Sequence, residues 1–268
     1  MIELLQITND PVLAAQCDAM DGMRIFVDLE RNGKQERQAG RNTFISVHQM
    51  ADIAPIAAVL KRARLMVRLN PVYEASGAEI DESIAAGAHM LMLPMFRGKA
   101  DLAAFCALVD GRVPVVALLE NADALHSIDD WIATPGLAEV FMGLNDLHIS
   151  LGMRFMFEPL ARGMVDRVAA AVHQQGLHFG FGGIARVSQG QINGAAVMGE
   201  HLRLGSQAVI LSRSFYSDAE TSSFAQDIAA LRLMEQVLLL RDAGHIESDR
   251  LKTITEINAV AQRMGVNT

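Results

Sequence analysis

The chain has 268 residues, 51% hydrophobic and 20% charged, a balance that fits a folded globular protein and excludes a disordered one. Its 31 acidic and 23 basic residues leave a formal charge of −8 with no basic run, which argues against a nucleic-acid partner. Cys17 and Cys106 stand in no metal or redox spacing, the apolar runs are too short to span a membrane, and the start of the chain lacks a basic-then-apolar leader, so a cytoplasmic protein is expected.

Short β-rich runs alternate with helical patterns along the whole chain. The pattern predicts strands near 2–7, 23–29, 64–69, 89–94, 113–119, 138–144, 178–182 and 207–212, with helices between them, for example at 46–62, 75–86, 99–110, 157–175 and 193–204. Eight strands separated by helices predict a single-domain (β/α)8 barrel covering 1–268. The strands are nearly continuous apolar runs, as expected when both faces are buried. An open doubly wound sheet would carry a glycine-rich turn after the first strand, where this chain has Thr8-Asn-Asp-Pro. Residues 217–268 form a C-terminal helical extension. Ser223 and Gln226 fit a capping box, followed by one apolar stripe (Phe224, Ile228, Leu231, Met234, Leu238) and a second (Leu233, Val237, Leu240). The second stripe is covered either by another subunit or by the final segment, where Leu251, Ile254, Ile257, Ala261 and Met264 keep helical spacing.

Two acids close two successive apolar runs: Glu120 after Val113-Pro-Val-Val-Ala-Leu-Leu, and Asp146 after Val140-Phe-Met-Gly-Leu-Asn. Strand C-termini line the active-site face of a parallel barrel, and two carboxylates there make an oxygen-rich site for Mg²⁺ or Mn²⁺. Arg68 ends the third strand, where a guanidinium would bind a carboxylate or stabilise negative charge on an oxygen; a structural ion pair is the alternative. Asp28 and Glu30 alternate about Leu29 at the end of the second strand, either as carboxylates supporting the site or as a solvated strand end. The loop that follows carries Arg31, Lys34, Arg37 and Arg41, which suit either a lid reading an anionic tail or a solvated surface. Arg186 follows Gly182-Gly-Ile-Ala after the seventh strand and Arg213 follows the eighth, the region where barrels often hold phosphate, although a tight turn explains the glycines equally well. His148 lies two residues after Asp146, and His48 opens the helix after the basic loop; either would serve as an acid or base, and the remaining histidines fit ordinary surface or core positions. Of the four lysines (Lys34, Lys61, Lys99, Lys252), none falls inside a predicted strand, and Lys99 is the nearest to one, so a Schiff-base mechanism has no well-placed nucleophile.

With these residues assembled, the chain resembles the HpcH/HpaI aldolase and citrate lyase beta-subunit family. The resemblance rests on Val27-Asp-Leu-Glu30, Val67-Arg-Leu-Asn-Pro71, Gly87-Ala-His-Met-Leu-Met-Leu-Pro94, Ala117-Leu-Leu-Glu120 and, most specifically, Phe141-Met-Gly-Leu-Asn-Asp-Leu-His-Ile-Ser-Leu-Gly152. It implies a barrel holding Mg²⁺, Mn²⁺ or a similar ion such as Co²⁺ through Glu120 and Asp146, with the ion binding the carboxylate and keto oxygens of pyruvate or an equivalent oxoacid or thioester. It implies that Arg68 stabilises the enolate oxygen, and that Gly143 and Asn145 in the strand-six turn lie with the substrate. It also implies a homo-oligomer, a trimer or hexamer, built through the C-terminal helices. Arg31 stands where the pyruvate aldolases of the family carry a histidine and the citrate-lyase-like members an aspartate, which leaves the general base open between metal-bound water, His48 and His148.

The reading is a metal-dependent class II aldolase that makes or cleaves a 4-hydroxy-2-oxoacid, with Arg31, Arg186 and Arg213 reading a polar or anionic aldehyde. The alternatives are an acyl-CoA lyase of the citryl or malyl type and a barrel subunit without catalysis.

Overall fold

The structure, a computed structural model, describes residues 1–33, 47–215 and 223–266. Lys34, Arg37 and Arg41 of the basic loop lie outside the described residues. Apolar runs buried on both faces leave a strand nowhere to sit but inside a helix-covered sheet. Eight such strands, β1 (Glu3–Ile7), β2 (Met23–Asp28), β3 (Arg64–Arg68), β4 (Met90–Leu93), β5 (Val115–Leu119), β6 (Leu137–Met142), β7 (His178–Ile184) and β8 (Ala208–Leu211), pair in parallel and in chain order. β8 closes onto β1, with Leu4 opposite Val209, so the predicted (β/α)8 barrel forms with no free edge.

The helices are α1 (Pro11–Asp18), α2 (Ile53–Val59), α3 (Ser76–Ala85), α4 (Lys99–Val109), α5 (Ala122–His126), α6 (Ile128–Trp131), α7 (Leu144–Ser150), α8 (Glu158–Ala161), α9 (Met164–Gln174), α10 (Gly194–Arg203), α11 (Phe224–Leu238) and α12 (Ala243–Val266). The single helix expected over 157–175 is two, because Gly163 at φ +71° takes a left-handed conformation that interrupts the spiral. The helix expected over 46–62 is a 3-10 turn at Met50–Asp52 running into α2. Gly182 and Gly183 belong to β7 rather than to the turn after it, at a point where the register with β8 shifts.

Inside the barrel the side chains lie in layers. The bottom holds buried Arg24, whose guanidinium pairs with Glu3 and lies 2.7 Å from Glu139. The middle is apolar, built from Leu5, Phe26, Met66, Met90, Met92, Val116, Leu118, Phe141 and Ala208. The mouth turns polar again, with Asp28 and Arg68 at the ends of β2 and β3 and Glu120 one residue past β5. Carboxylates at the mouth serve neither the apolar core nor the sheet's backbone pairing, which points to a role in chemistry.

The capping box at Ser223 and Gln226 opens α11 as the sequence predicts. Ile228 and Leu231 are buried, and Phe224 and Leu238 pack against the core. α12 lies across α8 and α10 and buries Ile257 and Ala261. It does not cover the second stripe of α11: Leu233, Val237 and Leu240 are 64%, 53% and 86% exposed.

Candidate active site

Arg68 is gripped from one side. Its Nε and Nη2 each donate to an Asp28 carboxylate oxygen at 2.8 Å, a two-pronged pairing that fixes the plane of the guanidinium. Glu30 Oε2 lies 3.5 Å from Nε, and the guanidinium carbon sits 5.4 Å above the centre of the Phe26 ring. Burial works against the Arg68 charge, but Asp28 and Glu30 outweigh it and hold its pKa above the ordinary value. Nη1 has no protein partner among the described residues.

Glu120 is buried beside this cluster and feels it. Loss of water first, then the negative charge of Glu30, raise its pKa to about 8; Asp146 adds to the rise, while Arg68 and a hydrogen bond from the Met95 N–H oppose it. Only one oxygen, Oε1, accepts that bond, at 3.0 Å. Gly143 packs directly against the carboxylate: a Cβ there would sit 3.0 Å from both Glu120 Cβ and Oε2.

Asp146 corrects one detail of the sequence reading. It does not end a strand. β6 stops at Met142, Gly143 turns the chain, and Asp146 falls in the first turn of α7, half-buried and 3.4 Å from the Asn145 amide.

The remaining candidates divide. His48 belongs to the cluster: its Nδ1 accepts the Asp28 N–H at 3.1 Å, which places the proton of a neutral ring on Nε2. Arg31 donates to the His48 carbonyl at 2.9 Å, while the backbone N–H groups of Arg31 and Asn32 both bond Asn70 Oδ1. His148 is buried on α7 with Nδ1 3.2 Å from the Leu144 carbonyl. Arg186 faces the C-terminal helices, 2.8 Å from Asp227 of α11, a position that lends no support to a role in reading substrate. Arg213 lies exposed on the 3-10 turn after β8. Two participants were not singled out from the sequence, Met95 and Asn121. Met95 carries no sequence mark of its backbone role; Asn121 had a visible one, as an Asn directly before a helix.

Does this donor set fit a divalent cation? Among the described residues no group of three or more His, Cys, Asp or Glu forms a metal cluster. The charge of Asp146 adds to the cost of ionising Glu120, and a hard cation between the two carboxylates would offset that cost. Mg²⁺ commonly takes only one or two protein carboxylates and leaves its other positions to substrate and water. The residues fit a cation shared with substrate and do not form a closed structural site.

The chain is thus a (β/α)8 barrel whose mouth combines an oriented arginine with two carboxylates. Residues 5–157 match the HpcH/HpaI aldolase/citrate lyase family model, and the chain belongs to that family. A (3S)-malyl-CoA thioesterase of Cereibacter sphaeroides is 33% identical over 97 residues, 36% of this chain and 34% of that protein, so the match spans about a third of the relative's length. The fold is shared with an HpcH/HpaI aldolase from Desulfitobacterium hafniense (17% identity, 90% of this chain and 94% of that one, TM-score 0.63). It is shared equally with a family protein from Burkholderia cenocepacia (19% identity, 89% and 93%, TM-score 0.62). No helix among the described residues is long and apolar enough to cross a membrane.

Proposed function

We propose that this protein is a metal-dependent carbon–carbon lyase that makes or breaks a bond next to the carbonyl of a 2-oxoacid, passing through a pyruvate-type enolate. The observation that carries this reading is the cluster itself: Arg68 held in plane by Asp28 with Nη1 open, beside a buried Glu120 that shares its surroundings with Asp146. Family members generally depend on a metal. Glu120 and Asp146 would hold Mg²⁺, Mn²⁺ or Co²⁺, which supplies Lewis-acid polarisation of the substrate carbonyl. Arg68 Nη1 donates to the oxygen on which charge develops, and because Asp28 has already fixed the guanidinium, little reorganisation is needed as the charge appears. His48 and His148 are the side-chain candidates for the proton transfer at the enolate carbon, and Arg31, bonded to the His48 carbonyl, is the candidate for reading the aldehyde partner. We place the protein in the cytoplasm, a setting supported by two buried, unpaired cysteines.

The test is oxaloacetate decarboxylation, which yields the same enolate without knowledge of the aldehyde. Turnover is expected with Mg²⁺, Mn²⁺ or Co²⁺, is expected to vanish with EDTA, and should be lost in Glu120→Ala and Asp146→Ala proteins that keep their circular dichroism. Unchanged turnover in either variant removes that residue from the site. A second reading, a lyase or hydrolase of a CoA thioester, is favoured by the malyl-CoA thioesterase similarity, and acetyl-CoA or malyl-CoA would then replace the oxoacid.

A further inference from the structure

The tops of β4 and β5 are joined by two reciprocal hydrogen bonds that the proposed chemistry has not used. The Met95 N–H donates to Glu120 Oε1 at 3.0 Å, and the side-chain amide of Asn121 donates back to the Phe96 carbonyl at 2.6 Å. Met95 sits at φ +52°, a left-handed conformation that a side chain of this size rarely adopts. Such a conformation persists only where the surroundings enforce it, and it is concentrated at functional sites. Here the enforcement is visible. The Phe96 ring meets Trp131 edge-on with centroids 4.9 Å apart, Trp131 Nε1 donates to the Ala124 carbonyl, and the Ala124 N–H returns to Asn121 Oδ1 at 2.9 Å. Asn121 therefore uses both ends of its amide: the oxygen caps α5 and the NH₂ holds the 95–96 turn.

We propose that Asn121 is a positioning residue for the cation site. By holding the Phe96 carbonyl it keeps Met95 in the left-handed turn, and that turn aims the Met95 N–H at Glu120 Oε1. With Oε1 claimed and the carboxylate pressed against Gly143, the rotation of the group is set, and Oε2 accepts no protein hydrogen bond among the described residues. Oε2 is then the oxygen left for a cation. This rests on the reading that Glu120 holds a divalent ion.

The experiment is direct titration of the whole 268-residue chain, free of substrate, with Mn²⁺, followed by the electron paramagnetic resonance signal of the free ion. Asn121→Ser keeps a good helix cap but cannot reach the Phe96 carbonyl. It should weaken Mn²⁺ binding about tenfold or more, the usual loss when the partner orienting a ligand is removed. Asn121→Asp keeps shape and cap and adds a negative charge that by itself favours Mn²⁺, so weakened binding there points to the missing N–H. Glu120→Gln should abolish binding. Wild-type affinity in Asn121→Ser, with binding lost in Glu120→Gln, overturns the positioning role and leaves the cation reading intact. Wild-type affinity in Glu120→Gln overturns the cation reading itself. Should Asn121→Ser fail to fold, Asn121→Asp decides by the same criterion.

Discussion

Glu120 shows how burial and charge set a residue's behaviour. Its ordinary pKa is 4.5 and its folded value is about 8, so between those limits the folded protein holds a proton that the unfolded chain has released. Stability conferred by this group is therefore complete below about pH 4.5 and falls as pH rises through the window to 8. Metal-free protein should lose melting temperature across that window, and Glu120→Gln should flatten the loss. Cation binding must expel the same proton, so Mn²⁺ affinity should climb with pH until about 8 and then level. Arg68 needs a different choice of variant. Arg68→Ala strands Asp28 and Glu30 as buried charges and should cost about 3–5 kcal/mol in denaturant melts, which obscures any catalytic effect. Arg68→Lys keeps the charge but not the planar fork, and its oxaloacetate kcat should fall roughly 10²- to 10³-fold with a smaller loss of stability.

At the scale of elements, the turns after the strands decide the chemistry. Gly143 allows β6 to pass against Glu120, and Gly143→Ala would drive a Cβ into the carboxylate and within 3.1 Å of Leu118. That variant should lose about 1–3 kcal/mol of stability and most of its cation affinity together, measured by thermal melting and Mn²⁺ titration. The eight strands were legible because parallel strands buried on both faces are apolar throughout, and each predicted range overlaps its strand closely. Turns were less legible. Asp146 reads as a strand end because Leu144 continues the apolar run past Gly143, and the glycine alone does not separate a turn from a strand position. α1 fits the expectation of a helix between the first two strands and carries a plain signal for its start, Asp10 capping the Val12 N–H with Pro11 in the first turn. Arg24 was passed over because its partner Glu139 is 115 residues away and only closure of the barrel brings them together.

For the whole molecule, one closed barrel stacks a buried ion-pair layer, an apolar layer and a charged mouth, and the mouth collects Asp28, Glu30, Arg68, Glu120 and Asp146 from β2, β3, the β5 end and α7. Most of that set could be read from the sequence, since acids and an arginine ending apolar runs have little reason to be there in folding terms. The pairing of Arg68 with Asp28 and the clamp on Glu120 could not, because both depend on side-chain geometry between neighbouring strands. The exposed Leu233, Val237 and Leu240 bear on assembly. The proposal that they meet another copy of the chain predicts that Leu233→Lys with Leu240→Lys lowers the sedimentation-derived mass without altering the melting curve of the barrel; an unchanged mass would exclude this face as the interface. The central claim is enolate formation at this mouth, and hydrogen exchange tests it most directly. In D₂O with Mg²⁺, the protein should erase the methyl proton signal of pyruvate, and EDTA or Glu120→Gln should restore the buffer rate. Exchange of acetyl-CoA in place of pyruvate would move the substrate to a thioester, and exchange of neither with any divalent cation would contradict the account.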